Sequence, residues 1–535
     1  MIILILADPQ DEDEDLQARR SRRQRSYAFA LGKSIPGPAR RFSWAYQMES
    51  INPMESIKMS ASIRVGWYLL CIGLIVECAS AAAPKGSDAR DPGPRPIASQ
   101  APGQLCGVDR TPFDPIPIDG LTADEMKLFC AGLDEFKKVD TVKDDGLGPT
   151  MNFNSCVGCH QYPQFGGSSP LGTNPQFSLA KAYPPGTNIV PAFITEKGPV
   201  REARFKKNRD GTPDGGVHSL FTITGLPGSD GCVLKQPDFK AELKRMNVIF
   251  RIPTPTFGLG LVEEIEDQTI LDSQQAKKTR RYGDGYAVPL GRLNIVRVGH
   301  AQGTENRNGN DGTIARFGWK AQNKSLLVFS GEAYNVEMGI SNELFQTERE
   351  EKPECQFHTV PNDTTNPDKL ASGNPFDAYS DIIKFAAFMR FLAPPVASTD
   401  TPGGADSIER GRRHFEQVGC GHCHTPELHT SKHAAVVALR DKTVKLYSDL
   451  AIHRMGTKLA DGISQGQAKG DEFRSAPLWG LGQRVFFLHD GRTDDLVSAI
   501  VQHAGPGSEA NRVIKSYTKM KASEKQDLLN FLRSL

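Results

Sequence analysis

The stretch FEQVGCGHCHTP, Phe415 to Pro426, holds the pentapeptide Cys420-Gly421-His422-Cys423-His424, and NFNSCVGCHQ, Asn152 to Gln161, holds Cys156-Val157-Gly158-Cys159-His160. In C-x-x-C-H, two residues between the thiols match the separation of the two vinyl groups of a haem. The histidine that follows then lies under the iron of the tethered ring. With 10 cysteines and 12 histidines in 535 residues, about 0.004 such matches are expected by chance, and two occur. A zinc site would want further paired ligands, and a thioredoxin-like pair would want a βαβ setting. Neither motif has these. The motifs therefore predict two covalent c-type haems, attached at Cys156, Cys159, Cys420 and Cys423, with His160 and His424 as axial iron ligands.

Outward from the second motif, Ile408, Arg412, Phe415 and Val418 form a stripe at helical spacing that ends at Gly419. Near the chain end, SEKQ (Ser523 to Gln526) reads as a capping box, and Leu528, Leu529, Leu532 and Leu535 as the buried stripe of the helix after it. A first helix ending in the haem motif and a last helix crossing it describe a cytochrome c module. Before the first motif, TADE (Thr122 to Glu125) is another capping box, and Phe129, Leu133 and Phe136 mark a buried face. A glycine-containing linker separates this helix from Cys156. The long segment between the two motifs exceeds what a plain cytochrome needs. SLLVF (Ser325 to Phe329) and NVIFRI (Asn247 to Ile252) predict short strands there. The expected fold class is mainly α: two cytochrome c-like domains, 105–400 and 401–535, with a long loop-rich, partly β insertion in the first.

Composition bounds the alternatives. A net charge of +1 argues against nucleic acid as a partner, and 51 glycines with 36 prolines imply much irregular structure. No run of about 20 apolar residues occurs, which argues against an integral membrane span. Val65 to Val76 is a short apolar stretch preceded by Lys58 and Arg64 and followed by Ala79-Ser80-Ala81, the order of a secretory signal. An uncleaved anchor is the competing reading. Met48, Met54 or Met59 would begin such a signal, so 1–47 reads as an over-extended start without structure, 48–83 as the signal and 84–104 as a linker. The expected location is the periplasm. Setting aside the signal and haem cysteines leaves Cys106, Cys130, Cys232 and Cys355, an even number that suggests up to two disulfides. Cys106 with Cys130 is the local pairing, though connectivity stays open, and a reactive thiol pair is the alternative.

With these residues in hand, the sequence resembles the di-haem oxidoreductase family, whose members are also called di-haem peroxidases or thiol oxidoreductase-like proteins. The resemblance runs from about Cys106 to Leu535. It rests on GLGPTMNFNSCVGCH, RIPTPTFGLGLVEEI, IARFGWKAQNKSLL, YNVEMGIS, GCGHCHTP, DLAIHRMGTKLADG, and FRSAPLWGLG followed by FLHDGR. More remotely, the carboxy-terminal third is similar to bacterial cytochrome c peroxidases, which pair one electron-transfer haem with one that meets peroxide.

A closed haem transfers electrons, whereas one with an open or weakly held sixth position binds an oxidant. Thr493 to Ala504 reads as a helix capped by Thr493 and stopped by Gly505-Pro506-Gly507, with Leu496, Ile500 and His503 on its buried face. In the related peroxidases the corresponding helix supplies the sixth ligand, which makes His503 the candidate opposite His424. Met455 is the alternative ligand, and Met338 carries the same ambiguity; each thioether equally suits space-filling beside a haem. No histidine lies between His160 and His218, so the first haem reads as open. Glu263 resembles the acidic residue of the family motif and is the candidate acid–base group, with Glu264 its neighbour and a salt-bridged glutamate the bland alternative. Arg316 would stabilise charge and Trp319 would sit between the haems; packing or propionate binding competes for both. The resemblance implies an exported peroxidase-like oxidoreductase that takes electrons from a small cytochrome or a cupredoxin and acts on a small-molecule oxidant or reductant. A non-enzymatic carrier and a dehydrogenase of a small organic or sulfur substrate are the alternatives. Calcium between the modules enters by analogy alone, since no local ligand loop argues for it.

Overall fold

The computed structural model describes residues 89–535 except 98–102, 150, 152, 183–187, 214–225, 233–235, 296, 299–300, 303–312, 348–351 and 359. The start and signal segments read from the sequence, 1–83, and His218 lie outside the described residues. All that is described belongs to one compact unit, Ala82–Leu535. No helix among the described residues is long and apolar enough to cross a membrane.

Twelve α-helices run through the described chain: α1 (Ala123–Lys137), α2 (Cys156–Cys159), α3 (Pro175–Ala182), α4 (Phe239–Lys244), α5 (Leu259–Glu263), α6 (Asp267–Lys277), α7 (Leu326–Met338), α8 (Asp381–Phe391), α9 (Ala405–Val418), α10 (Leu496–Gln502), α11 (Asn511–Thr518) and α12 (Ala522–Ser534). Six two-stranded antiparallel ladders accompany them. The architecture is thus mixed, and its β structure is not confined to the middle of the chain. Glu202–Phe205 pairs with Val248–Arg251 there, but Ile452–Arg454 pairs with Glu472–Arg474 well beyond the second motif.

One helical arrangement occurs twice. α1 crosses α8 near the first C-x-x-C-H, and α9 crosses α12 near the second. Each crossing is set by a glycine. A Cβ at Gly132 would meet the Lys384 carbonyl, and one at Gly411 would meet the Asp527 carbonyl, so only hydrogen lets the backbones approach this closely. The Thr122 capping box forms as read, with Thr122 Oγ1 accepting from Glu125 N and Glu125 Oε2 accepting from Thr122 N. Phe129, Leu133 and Phe136 are buried, as are Leu528, Leu529, Leu532 and Leu535.

Three local readings shift. Ser325–Phe329 is not a strand: Ser325 caps α7, its hydroxyl accepting from Val328 N at 3.2 Å, and Gly339 closes the helix in the left-handed region. The apolar run sits at the start of a helix whose remaining turns are mixed, so a short window misread its period. α10 is capped by Asp495, whose Oδ1 accepts from Ser498 N at 2.6 Å, while Thr493 Oγ1, two residues earlier, accepts from Asp495 N. α12 starts before Ser523; there Glu524 Oε2 accepts from Lys521 N at 2.9 Å. Val248–Arg251 is a strand as expected.

Two main hydrophobic cores result. The smaller gathers Phe415, Leu496, Tyr517 and the α12 leucines; the larger holds α1, α5, α7 and α8 together with Leu428, Leu439, Leu446 and Leu450. The residues just after the second motif therefore pack with the core of the first. Buried ion pairs bind the middle segment to the same region: Arg251–Asp461 at 2.9 Å, Lys320–Asp461 at 3.1 Å and Lys277–Asp449 at 2.6 Å. Disulfides Cys106–Cys130 and Cys232–Cys355 use all four remaining cysteines, the first being the local pairing.

Candidate functional site

Each C-x-x-C-H motif opens onto its own cavity. The first offers about 150 Å³ of interior space and the second about 210 Å³. All four motif cysteines are unpaired and line these cavities.

The motif histidines are held alike. His160 Nδ1 donates to the Gly167 carbonyl at 3.0 Å, and His424 Nδ1 donates to the Tyr447 carbonyl at 3.1 Å. A backbone acceptor on Nδ1 fixes the tautomer and leaves Nε2 as the nitrogen for a metal. Burial pushes both imidazoles down to about 4, His503 adding to the effect on His424. Each ring is therefore neutral at physiological pH, the form that ligates iron.

In the second cavity, α10 presents Leu496, Ala499, Ile500 and His503 on one face, as its periodicity predicted. His503 Nδ1 donates to the Ala499 carbonyl of its own helix at 2.8 Å, which again turns Nε2 toward the cavity. Met455 lines the same cavity, so both candidate sixth ligands reach it. His453 does too, but carboxylates occupy both its ring nitrogens, Asp449 at 3.0 Å and Glu509 at 2.9 Å. His489 stacks on Phe473 with centroids 4.3 Å apart, and burial brings it down to about 4.

The first cavity differs. Among its described lining residues His160 is the only histidine; α7 supplies Ser330, Ala333, Tyr334, Glu337 and Met338, and α8 supplies Phe385 and Met389. Glu337 lines that cavity, where part of its surface stays exposed while its carboxyl packs against protein. Desolvation by the protein around it raises its carboxyl to about 8, the Glu202 carboxylate adding to the shift and Arg204 opposing it. Nothing in the sequence reading marked Glu337 or Tyr334. The signal was the i, i+3, i+4, i+7 spacing from Ser330 to Glu337, hidden once Ser325–Phe329 was read as strand.

The carboxylate and arginine expected at the site lie elsewhere. Glu263 is fully buried, accepting from Arg390 Nε and from Leu326 N, each at 2.7 Å. Glu264 beside it is raised to about 8 by burial and by Glu263. Arg316 is fully buried against Asp267 and the Ile265 and Ile314 carbonyls. None of the three lines either cavity. Trp319, by contrast, lines both, its Nε1 donating to the Ile252 carbonyl at 3.0 Å. The indole is the one described aromatic side chain shared by the two.

The donor set fits haem. Mostly apolar cavities end on paired thiols and a neutral imidazole, and the second also has cations in want of an anion. Arg484, lining the second cavity, has Nε and Nη2 buried without a hydrogen-bond partner; burial brings it down to about 10. Arg474 lines the same cavity and is likewise brought down to about 10, its Nε donating to the Gly318 carbonyl at 3.0 Å. Arg251, on the first cavity, is already paired with Asp461, and only its Nε is buried without a partner. Guanidinium N–H groups left without acceptors beside a cavity, as in Arg484, call for carboxylates, which haem propionates supply.

The family model described as "Di-haem oxidoreductase, putative peroxidase" matches residues 227–535. No curated protein matches. Among solved structures, hydrazine synthase of Kuenenia stuttgartiensis, in crystals pressurised with xenon, is 14% identical, with a TM-score of 0.24 over 51% of this chain and 88% of that one. A MauG-like protein associated with microbial copper homeostasis is 17% identical, with a TM-score of 0.25 over 51% and 91%.

Proposed function

From the premise that this chain belongs to the di-haem oxidoreductase family, we propose that it is an exported c-type cytochrome that reduces a peroxide at its first haem and feeds that haem with electrons through its second. The observation that supports this most is the unlikeness of the two cavities: one sets a second imidazole beside His424, the other sets a carboxyl and a phenol beside His160.

Cys156 and Cys159 would hold one haem over His160, and Cys420 and Cys423 the other over His424, with Arg474 and Arg484 receiving propionates of the second. Haem supplies one-electron steps and, where its sixth position is open, an iron site for an oxidant. His503 would hold the second haem together with His424, an arrangement that would suit that centre to electron transfer. In the first cavity Glu337 moves the proton: its carboxylate accepts one from a peroxide oxygen and returns it to the other, which leaves as water. The apolar face of α8, Phe385 and Met389, keeps bulk water from that exchange. Trp319 gives electrons a path between the two cavities. The signal-like segment and the two disulfides support an oxidising compartment, the periplasm, where a small cytochrome or cupredoxin is the electron donor. One observation favours the carrier reading: Met338 lines the first cavity and offers a thioether to that iron.

Protein matured with haem-attachment machinery should carry two haem adducts by mass, and its oxidised form should show one high-spin and one low-spin centre by electron paramagnetic resonance (EPR). Two low-spin centres that stay closed on reduction would leave the carrier reading. With Glu337 held near 8, the carboxylate form that starts the proton shuttle fills in as pH rises, so turnover climbs through about pH 8. Glu337→Gln should lower turnover by about 10²–10⁴ and abolish that limb of the pH profile. An unchanged profile removes Glu337 from the chemistry.

A further inference from the structure

Tyr334 sits in the wall of the first cavity with its ring edge-on to Phe385, centroids 5.1 Å apart, and is almost wholly buried. Its hydroxyl donates to Asp381 Oδ2 at 3.3 Å. Asp381 stands on the first turn of α8 at the protein boundary; its Oδ1 accepts from Lys384 Nζ at 2.9 Å, and Lys138 Nζ lies 3.9 Å from Oδ2. Further carboxylates, Asp140, Asp363 and Glu135, surround the phenol and, after burial itself, keep it protonated. The other aromatic candidates lack this partner. Trp319 donates to a backbone carbonyl, and the buried hydroxyls of Tyr282 and Tyr517 have no hydrogen-bond partner.

An aromatic side chain beside an oxidising centre gives up an electron readily only if its proton can leave at the same time, because a phenol that loses an electron becomes a very strong acid. A carboxylate already accepting the hydroxyl provides that exit, and it is itself in reach of solvent and two ammonium groups. We infer that Tyr334 and Asp381 form a redox-active pair in which Tyr334 gives one electron to the first haem centre while its phenolic proton passes to Asp381 Oδ2. The inference rests on the peroxide reading above. Hydrogen peroxide takes two electrons and two protons, its O–O bond breaks, and it leaves as two waters. One of those electrons is Tyr334's and the other is drawn from the haem centres, while the protons consumed come from solvent. What remains at Tyr334 is a neutral phenoxyl radical, which an electron arriving from the donor side and the returning proton convert back to phenol. The pair thus holds one oxidising equivalent inside the protein until a donor arrives, without releasing it to the peroxide-bearing solvent.

The test mixes the full two-haem protein, grown on ring-deuterated or ordinary tyrosine, with hydrogen peroxide and freezes it for EPR. A radical signal that narrows with the deuterated ring is expected in the wild type and is lost in Tyr334→Phe at equal haem content. Asp381→Asn, which keeps the phenol but removes its proton acceptor, should form the radical more slowly and in lower yield. Haem optical changes on peroxide addition with no tyrosine-derived signal would overturn the inference while leaving the peroxidase reading standing; so would a full signal in Tyr334→Phe. A full, fast signal in Asp381→Asn would refute the proton transfer. Haem spectra that ignore peroxide would sink both.

Discussion

Replacing Glu263 by glutamine separates two roles for a residue that the sequence marks as chemical and the fold holds away from both cavities. Its carboxylate joins two helices of the first centre: Oε2 pairs with Arg390 of α8 and Oε1 receives the first backbone N–H of α7, each at 2.7 Å. Glutamine can still accept from Leu326 N, but its amide hydrogens face Arg390 or its charge is simply missing. The Arg390 side chain is only 18% exposed, so the substitution removes the charge of its Glu263 partner in a mostly buried setting, and breaking a buried pair from one side costs about 3–5 kcal/mol. The compact unit Ala82–Leu535 has roughly 450 residues, giving an unfolding entropy of roughly 0.95 kcal/mol/K at about 2.1 cal/mol/K per residue. The melting temperature of Glu263→Gln should therefore fall by roughly 3–5 °C, measured calorimetrically on the two-haem protein at several scan rates. Turnover should fall modestly and without a change in its pH limb, because α7 carries Glu337. Glu263→Gln with Arg390→Met should recover part of the loss, since the cation that lost the Glu263 charge is then removed as well. A variant that melts like wild type yet loses turnover a hundredfold or more would show that Glu263 handles the proton and that the anchoring argument is wrong.

Two further changes probe the second centre. His503→Ala should convert its low-spin signal to high-spin, with added imidazole restoring it, while Met455→Leu leaves the spectrum alone; the reverse pattern would assign the ligand to Met455. Arg484→Leu removes a buried cation from the second cavity and should lower that centre's potential by at least one tenfold step in its redox equilibrium, about 59 mV for one electron. Potentiometric titration reads this directly, and an unmoved potential would place the propionates elsewhere.

What could be read from the chain alone was what neighbours in sequence decide between themselves. The C-x-x-C-H spacing is a local match of thiols and imidazole to one rigid ring. The Thr122 cap depends on a residue three positions on, and α10 turns His503 to its buried face by helical periodicity. Long-range meetings were another matter. Glu263 finds Leu326 N across 63 residues and Arg390 across 127, so a glutamate in an apolar, glycine-rich stretch became an anchor rather than an acid. Glu337 and Tyr334 lie on a helix whose apolar start resembled a strand, and only packing against α8 turns them toward His160. Periodicity tells which face of an element is buried, not what lies across from it. That second fact is set by how the helices cross, and here those crossings decide which cavity receives a carboxyl and a phenol and which an imidazole.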